Sequence, residues 1–466
     1  MSGATRTEVL FRMADSGSTY SYWRWLDDPD NPRHRVIPRG AVAEAEALIA
    51  AAMVDRAEED GPDRYDPTRR ALGDGPLSSP EREAPWSAQL ADWLLPPDLA
   101  RDLDRRSAAG EDILLRIIPS PSLARVPWDL LPLPSGRRIL EAVTVRLDAP
   151  AVVNANRGRF PQPWNPQAPD RPLYILEPPH RPGRHAGNEV IGPDARARLA
   201  EQLAHHGAVP GAELDRTMLG RLLRGEPTDE YTADTTGFAP GELPTRLFYY
   251  GHADSTPNEP GSAAIHLTDG PATFGNASSS DGHTPFTALD LLRGTMDVFR
   301  RDGDGLAYPY PGNVPGHAIW PVPARVALIG CESGADHRAL ETFGLVVALL
   351  NAGAETVTST RWTLPTDSAF HDACGTSRLV TTETALAVDS AHTEPDPVQA
   401  LRRWQLQQLH AWTSGTGGPA SSPLVWAALT THYSPTPEPL TEEEIQAGRA
   451  LYTDTGTDPE AAPPTE

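Results

Sequence analysis

The sequence predicts an α/β protein with a mostly parallel sheet covered by helices, and three observations lead there. Short apolar runs rich in β-branched or aromatic residues, RLFYY at Arg246–Tyr250 and RVALIG at Arg325–Gly330 among them, read as buried strands. Helical stretches separate such runs at crossover spacing, as parallel pairing requires. The chain of 466 residues, 39% hydrophobic with 11 Trp and 11 Tyr, carries enough apolar material for a sizeable core.

In chain order, Thr5–Trp25 is extended and aromatic-rich, and Ala41–Arg56 is an Ala/Glu-rich helix with Ile49 and Met53 on one side. A polar, Pro-containing stretch covers Glu58–Glu83. DILLRII at Asp112–Ile118 and the alternating LEAVTVRL at Leu140–Leu147 are strands. Asn, Gly, Gln and Pro without periodicity mark 153–172 as a linker or surface loop, so residues 1–152 form an N-terminal α/β portion. The second portion, 173–433, opens with strand Leu173–Leu176, helices Asp194–His205 and Arg216–Arg224, and strand Arg246–Tyr250. An insertion at 271–321 follows. Next come strand Arg325–Gly330, helix His337–Asn351 stopped by Gly353, strand Glu355–Trp362, and helices at Pro397–Trp412 and Pro423–Tyr433. The acidic, Pro/Thr-rich tail 434–466 is expected to be mobile apart from a turn at Glu442–Leu451.

Forty basic against 63 acidic residues leave a net charge of −23. That excludes a nucleic-acid coat or a polybasic membrane anchor, both of which need positive charge against phosphates. Arginine supplies every one of the basic residues and lysine is absent, which removes P-loop, Schiff-base and protein-kinase chemistry together. A GC-rich genome, or selection against lysine modification or cleavage, accounts for the bias. Two cysteines, Cys331 and Cys374, are too few for a disulfide framework, so a reducing compartment is expected. The start of the chain lacks an apolar signal core, and the longest continuous apolar run, Ala47–Val54, is far short of a membrane span. The expectation is a soluble, cytoplasmic protein.

The sequence holds no CxxC, HExxH, GxSxG or GxGxxG after a strand, so zinc, lipase-type and Rossmann readings lose their anchors. RRDGDG at Arg300–Gly305 starts like a calcium loop but lacks the remaining ligands. Two strand ends remain. RLFYY ends in Gly251-His252-Ala253-Asp254, and RVALIG ends in Cys331-Glu332-Ser333-Gly334. Groups just past the carboxyl ends of parallel strands gather at one edge, where ligands bind. If these strands are neighbours, His252 and Cys331 face each other on rigid supports, as a nucleophile and its proton-transfer partner require. The helix following Cys331 favours a thiolate through its dipole. Cys374, in HDACGTS, has the context of an incidental cysteine.

The motifs resemble the CHAT domain, a branch of the caspase-like cysteine proteases that includes separase relatives. LLRIIPSPSLARVPWDLLPL (Leu114–Leu133) is similar to that family's early strand and Pro-Trp-Glu segment, with Asp129 where Glu is usual. LFYYGHAD resembles the His-bearing strand, IHLTDG (Ile265–Gly270) and ALDLL (Ala288–Leu292) the hairpin and helix start that follow, and VALIGCESG the nucleophile turn. FGLVVALLNAGAETVTSTRWTLPTDSA and SPLVWAALTTHY resemble the later helix, Ala-Gly-Ala turn, Trp-ending strand and closing Pro-x-x-Trp-Ala segment. The resemblance spans Asp112–Tyr433. The interval from His252 to Cys331 is longer than in compact members, Ala253 stands where many relatives have Gly, and Ile329 where metacaspases carry an acid.

The resemblance implies a caspase-like three-layer α/β/α fold whose N-terminal portion is a pseudo-caspase-like half. It implies a cysteine endopeptidase in which Cys331 attacks a peptide carbonyl and His252 protonates the leaving amine. The backbone N–H groups of Cys331 and Ala253 form the oxyanion hole. No metal or organic cofactor is implied. Asp254 either orients His252 or caps the next turn. Trp362 either lines a substrate subsite or closes the core. In the primary pocket, Arg361 favours acidic residues, whereas Glu332 or Asp367 favours basic ones. The implied partners are a protein or peptide substrate and an activating protein, with no nucleic acid or membrane; the 271–321 insertion either gates the site, docks that activator or is an excursion without function, and the oligomeric state stays open. A bacterial signalling or defence role follows at family level, and the rival is a catalytically silent adaptor binding peptides at the same edge.

Overall fold

The computed structural model describes residues 6–54, 67–155, 157–177, 189–204, 214–226, 237–255, 259, 261–277, 282–294, 300–301, 307–308, 314–330, 344–436 and 446. Fifteen strands are present among them. In the first half these are β1 (Thr7–Ser16), β2 (Ser18–Trp25), β3 (Arg33–Ile37), β4 (Ile113–Ile118), β5 (Thr144–Asp148), β6 (Pro172–Leu176) and β7 (Arg246–Tyr250). Short strands β8 (Ala253–Asp254), β9 (Ala264–Ile265) and β10 (Phe286–Thr287) form a small sheet, and β11 (Arg300–Arg301) pairs with β12 (Ala307–Tyr308). The last are β13 (Arg325–Ile329), β14 (Thr356–Thr360) and β15 (Leu429–Tyr433).

Ten of them make one sheet in the order β3-β2-β1-β4-β5-β15-β14-β13-β7-β6. Neighbours in β1-β4-β5-β15 are parallel, and so are neighbours in β14-β13-β7-β6. The β14–β15 pair is antiparallel, so the two parallel blocks run in opposite directions. Both lie in the unit Met1–Ser434; Pro435–Glu466 forms a second unit. Every residue of β6, β7, β13 and β14 is buried, because helices cover both faces. Val326 and Leu328 of β13 meet Leu345 and Leu349 of helix Gly344–Asn351 on one side. On the other side Arg325 donates to the carbonyl of His392 in helix Val380–Thr393. The sheet is thus the middle layer of three.

Most expected elements are present. Helix Ala41–Arg56 is observed as Arg39–Ala52, Asp194–His205 as Pro193–Leu203, and Arg216–Arg224 as Arg216–Leu223. Gly344–Asn351 is the described part of His337–Asn351, and Gly353 follows it at φ +117°, where a side chain would be strained. Pro423–Tyr433 is not one helix. Only Pro423–Trp426 is helical, and LTTHY forms β15, as its β-branched composition favours. Helices Pro80–Leu94, Pro97–Ala108 and Val380–Thr393 add to the expected set. Within the insertion, helices Ala288–Arg293 and Gly316–Ile319 cross so closely that a Cβ on Gly316 would lie 1.8 Å from the Leu291 carbonyl oxygen. The Glu442–Leu451 turn, apart from residue 446, and Asp302–Gly305 lie outside the described residues.

Two enclosed histidines are expected to make the fold acid-sensitive. His392 bonds through Nε2 to the Thr358 hydroxyl (2.7 Å) and His432 likewise to Thr430 (2.9 Å). Burial first, and then nearby arginines (Arg246 and Arg325 for His392, Arg361 for His432), push both down to about 3. An unfolded histidine titrates near 6.5, so the stability tied to neutral imidazole is complete above that pH and is lost as pH falls toward 3. We expect the wild-type advantage in unfolding free energy over His432→Asn to shrink by about 1.4 kcal/mol per pH unit below pH 6. Denaturant titrations at pH 7, 6 and 5 measure it, and pH-independent differences would contradict it.

Candidate active site

The two polar strand ends singled out by the sequence are neighbours. β7 and β13 are adjacent and parallel, with Tyr250 opposite Ile329, so both runs stop at the same level. Gly251 and Gly330 come next. The Gly251 N–H donates to the Ile329 carbonyl at 3.1 Å. A Cβ on Gly330 would sit 2.8 Å from the Gly251 carbonyl oxygen and 3.1 Å from the Ala253 Cβ, so only glycine allows this approach. The Thr360 hydroxyl donates to the Gly330 carbonyl and ties the turn to β14. The residue before Cys331 is therefore in contact with the turn that carries His252. Cys331 and Glu332 themselves lie outside the described residues.

His252 is held by its own main chain. The Tyr249 hydroxyl donates to the His252 carbonyl and accepts from the His266 N–H at 3.2 Å. The imidazole is 19% exposed, and its Nε2 is 3.4 Å from Oε1 of Glu177, a carboxylate that is 3% exposed. Glu177 follows β6 directly, and its N–H donates to the Tyr250 carbonyl at 2.9 Å. Its other oxygen, Oε2, accepts from the Val190 N–H at 3.0 Å. Three consecutive strand ends therefore bring Glu177, His252 and Gly330 to one edge. Sequence reasoning passed over Glu177, although LYILE shows the same signal as the other two runs, an apolar strand broken by a polar residue.

The CHAT domain family model matches residues 85–434. This chain belongs to the CHAT-domain family. No curated protein matches it. Two crystal structures of the Saccharomyces cerevisiae separase–securin complex, at 3.0 and 2.6 Å, align with TM-scores of 0.47 and 0.46 and 9% identity. Each alignment covers 91% of this chain and 30% of the other chain.

Asp254 of this CHAT domain directs its carboxylate to His266, with Oδ2 2.9 Å from Nε2. His266 Nδ1 is in turn 3.1 Å from His283 Nε2, and His283 Nδ1 donates to the Asp269 carbonyl at 2.8 Å. Ala253 pairs with Ile265 in the small sheet, which fixes the turn after His252 from the other side.

The remaining candidates occupy the interior of the domain. Arg361 is 2% exposed and donates to the carbonyls of Val126 and Leu429 and to Asp129 Oδ2. Trp362 is fully enclosed, and its indole N–H donates to the Leu424 carbonyl at 2.7 Å. Asp367 is buried and accepts from the Thr381 N–H (2.8 Å) and the Thr382 hydroxyl (2.6 Å), and burial raises its carboxyl above the ordinary range. Each of the three is buried and bonded within the interior, as core residues are. Cys374 ends helix Asp367–Cys374, and burial pushes its thiol up, the opposite of what a nucleophile needs. Among the described residues no group of three or more His, Cys, Asp or Glu forms a metal cluster, and no helix is long and apolar enough to cross a membrane.

Proposed function

We propose that this CHAT domain is a cysteine endopeptidase acting on specific proteins. The single observation that supports it most is the contact of Gly330, the residue before Cys331, with the Gly251–Ala253 turn that carries His252, at the carboxyl edge of a parallel block. The Cys331 thiolate attacks the scissile carbonyl, and the negative oxygen is received by the N–H groups of Cys331 and Ala253. His252 delivers its proton to the departing amine as the C–N bond breaks. Water then hydrolyses the thioester, returning the thiol and releasing the second product. An activating partner and a role in bacterial signalling or defence belong to the same proposal.

Purified wild type and Cys331→Ala are to be compared on a peptide library, with a peptide-directed electrophile as a second probe of Cys331. Cleavage by wild type that disappears in the variant supports the protease. Equal cleavage by both overturns it. Absence of both cleavage and Cys331 labelling assigns the chain to the peptide-binding adaptor reading.

A further inference from the structure

We infer that Glu177 is the positioning residue of His252, accepting a hydrogen bond from Nε2–H so that Nδ1 is the nitrogen turned to the reacting atoms. The inference rests on the His252–Cys331 reading and completes it with a third group. Three adjacent parallel strands end in register: Leu176 of β6 is opposite Tyr250 of β7, and Tyr250 is opposite Ile329 of β13. Glu177 is thus one residue past its strand, and His252 and Cys331 are two residues past theirs. The strand ends that precede Glu177, His252 and Cys331 follow one another across the sheet edge.

The carboxylate is built to face that way. Its backbone is fixed on both sides, with N–H to the Tyr250 carbonyl at 2.9 Å and the Arg196 guanidinium on its own carbonyl at 2.9 Å. Oε2 accepts from the Val190 N–H, and Oε1 is directed at His252. A Cβ on Gly251 would lie 3.0 Å from the Glu177 Cβ and 2.9 Å from the Tyr249 hydroxyl. Glycine at 251 therefore makes the room that Glu177 occupies. A 3.4 Å separation is long for a charge-assisted bond, but such bonds in unliganded sites commonly tighten when substrate arrives.

The chemistry calls for such a group. A general acid must hold its proton at working pH, and a buried carboxylate beside an imidazole favours the imidazolium. It also fixes the tautomer and the plane of the ring. A Glu177 that only capped the Val190 turn would do neither.

The test is a titration of the full-length chain labelled with 13C and 15N at histidine, with the His252 signals assigned from a His252→Gln sample. Glu177→Gln is expected to lower the His252 midpoint by about one pH unit and to remove the preference for the Nε2–H tautomer. The signals of His392 and His432 report that the fold is kept. Unchanged midpoint and tautomer in folded Glu177→Gln overturn the inference. If that variant does not fold, Glu177→Asp, which keeps the charge but withdraws it by one methylene, is expected to give a smaller downward shift, and no shift overturns the inference equally. On a cleaved peptide, Glu177→Gln is expected to lower kcat at least about tenfold with KM little changed and with Glu177→Asp restoring part of it. Loss through KM alone overturns it. The titration needs no substrate, so a shifted midpoint in a protein that neither cleaves nor is labelled at Cys331 supports the Glu177–His252 pair and refutes the protease.

Discussion

Alanine at His252 is expected to slow peptide cleavage about 10²- to 10⁴-fold while leaving KM near its wild-type value. In the proposed mechanism the imidazole serves the departing amine, whose negative charge develops only as the C–N bond breaks, so its loss is felt in the transition state rather than in the bound substrate. The turn should survive the change. The His252 carbonyl is held through Tyr249, and the ring is partly exposed, so truncation leaves no large cavity. The defect should also depend on pH. Wild-type turnover falls at alkaline pH as the imidazolium is lost, whereas the variant has no such group to lose and its alkaline limb flattens. Rates on one peptide from pH 6 to 9 measure both, and a variant that keeps wild-type kcat and profile would remove His252 from the mechanism.

Asp129→Ala is expected to cost about 3–5 kcal/mol of stability, because it strands the buried guanidinium of Arg361. Both partners are enclosed, at 3.3 Å. Burial dominates each, pushing Arg361 down to about 10 and raising Asp129. The pair is asymmetric in what it can shed. A carboxyl left without its arginine can take up a proton near neutral pH, but a guanidinium keeps its proton there. Arg361→Met should therefore be the milder single change, and Asp129→Ala with Arg361→Met should recover most of the loss. Urea unfolding of the three variants tests the order. Equal effects for both single changes would mean that the charge is not what matters there.

The apolar runs RLFYY and RVALIG were legible because strands covered on both faces carry little polar residue to confuse the pattern. That β7 and β13 are neighbours was not, since their pairing joins segments separated by a whole insertion and depends on the sheet as a unit. LTTHY looks like polar helix surface in the sequence, yet it forms β15. Its threonines are buried by bonds to the next strand, Thr431 with Thr358 (3.1 Å) and Thr430 with Ser359 (3.2 Å). Helix Pro80–Leu94 was hidden by Pro80 and Pro85, although Trp86, Leu90 and Leu94 mark its buried face. At the site, His252 stood out and its buried acid did not. Asp254 was the nearer carboxylate in sequence, while Glu177 comes from the far side of a strand crossover.

The place of β15 sets a timetable. It lies between β5 and β14, yet among the sheet strands it is the last that the ribosome makes. Until Leu429–Tyr433 emerges, β5 and β14 lack the strand that lies between them, and an unpaired edge is a template for mispairing. His252 and Cys331 are synthesised long before the strand that joins the halves.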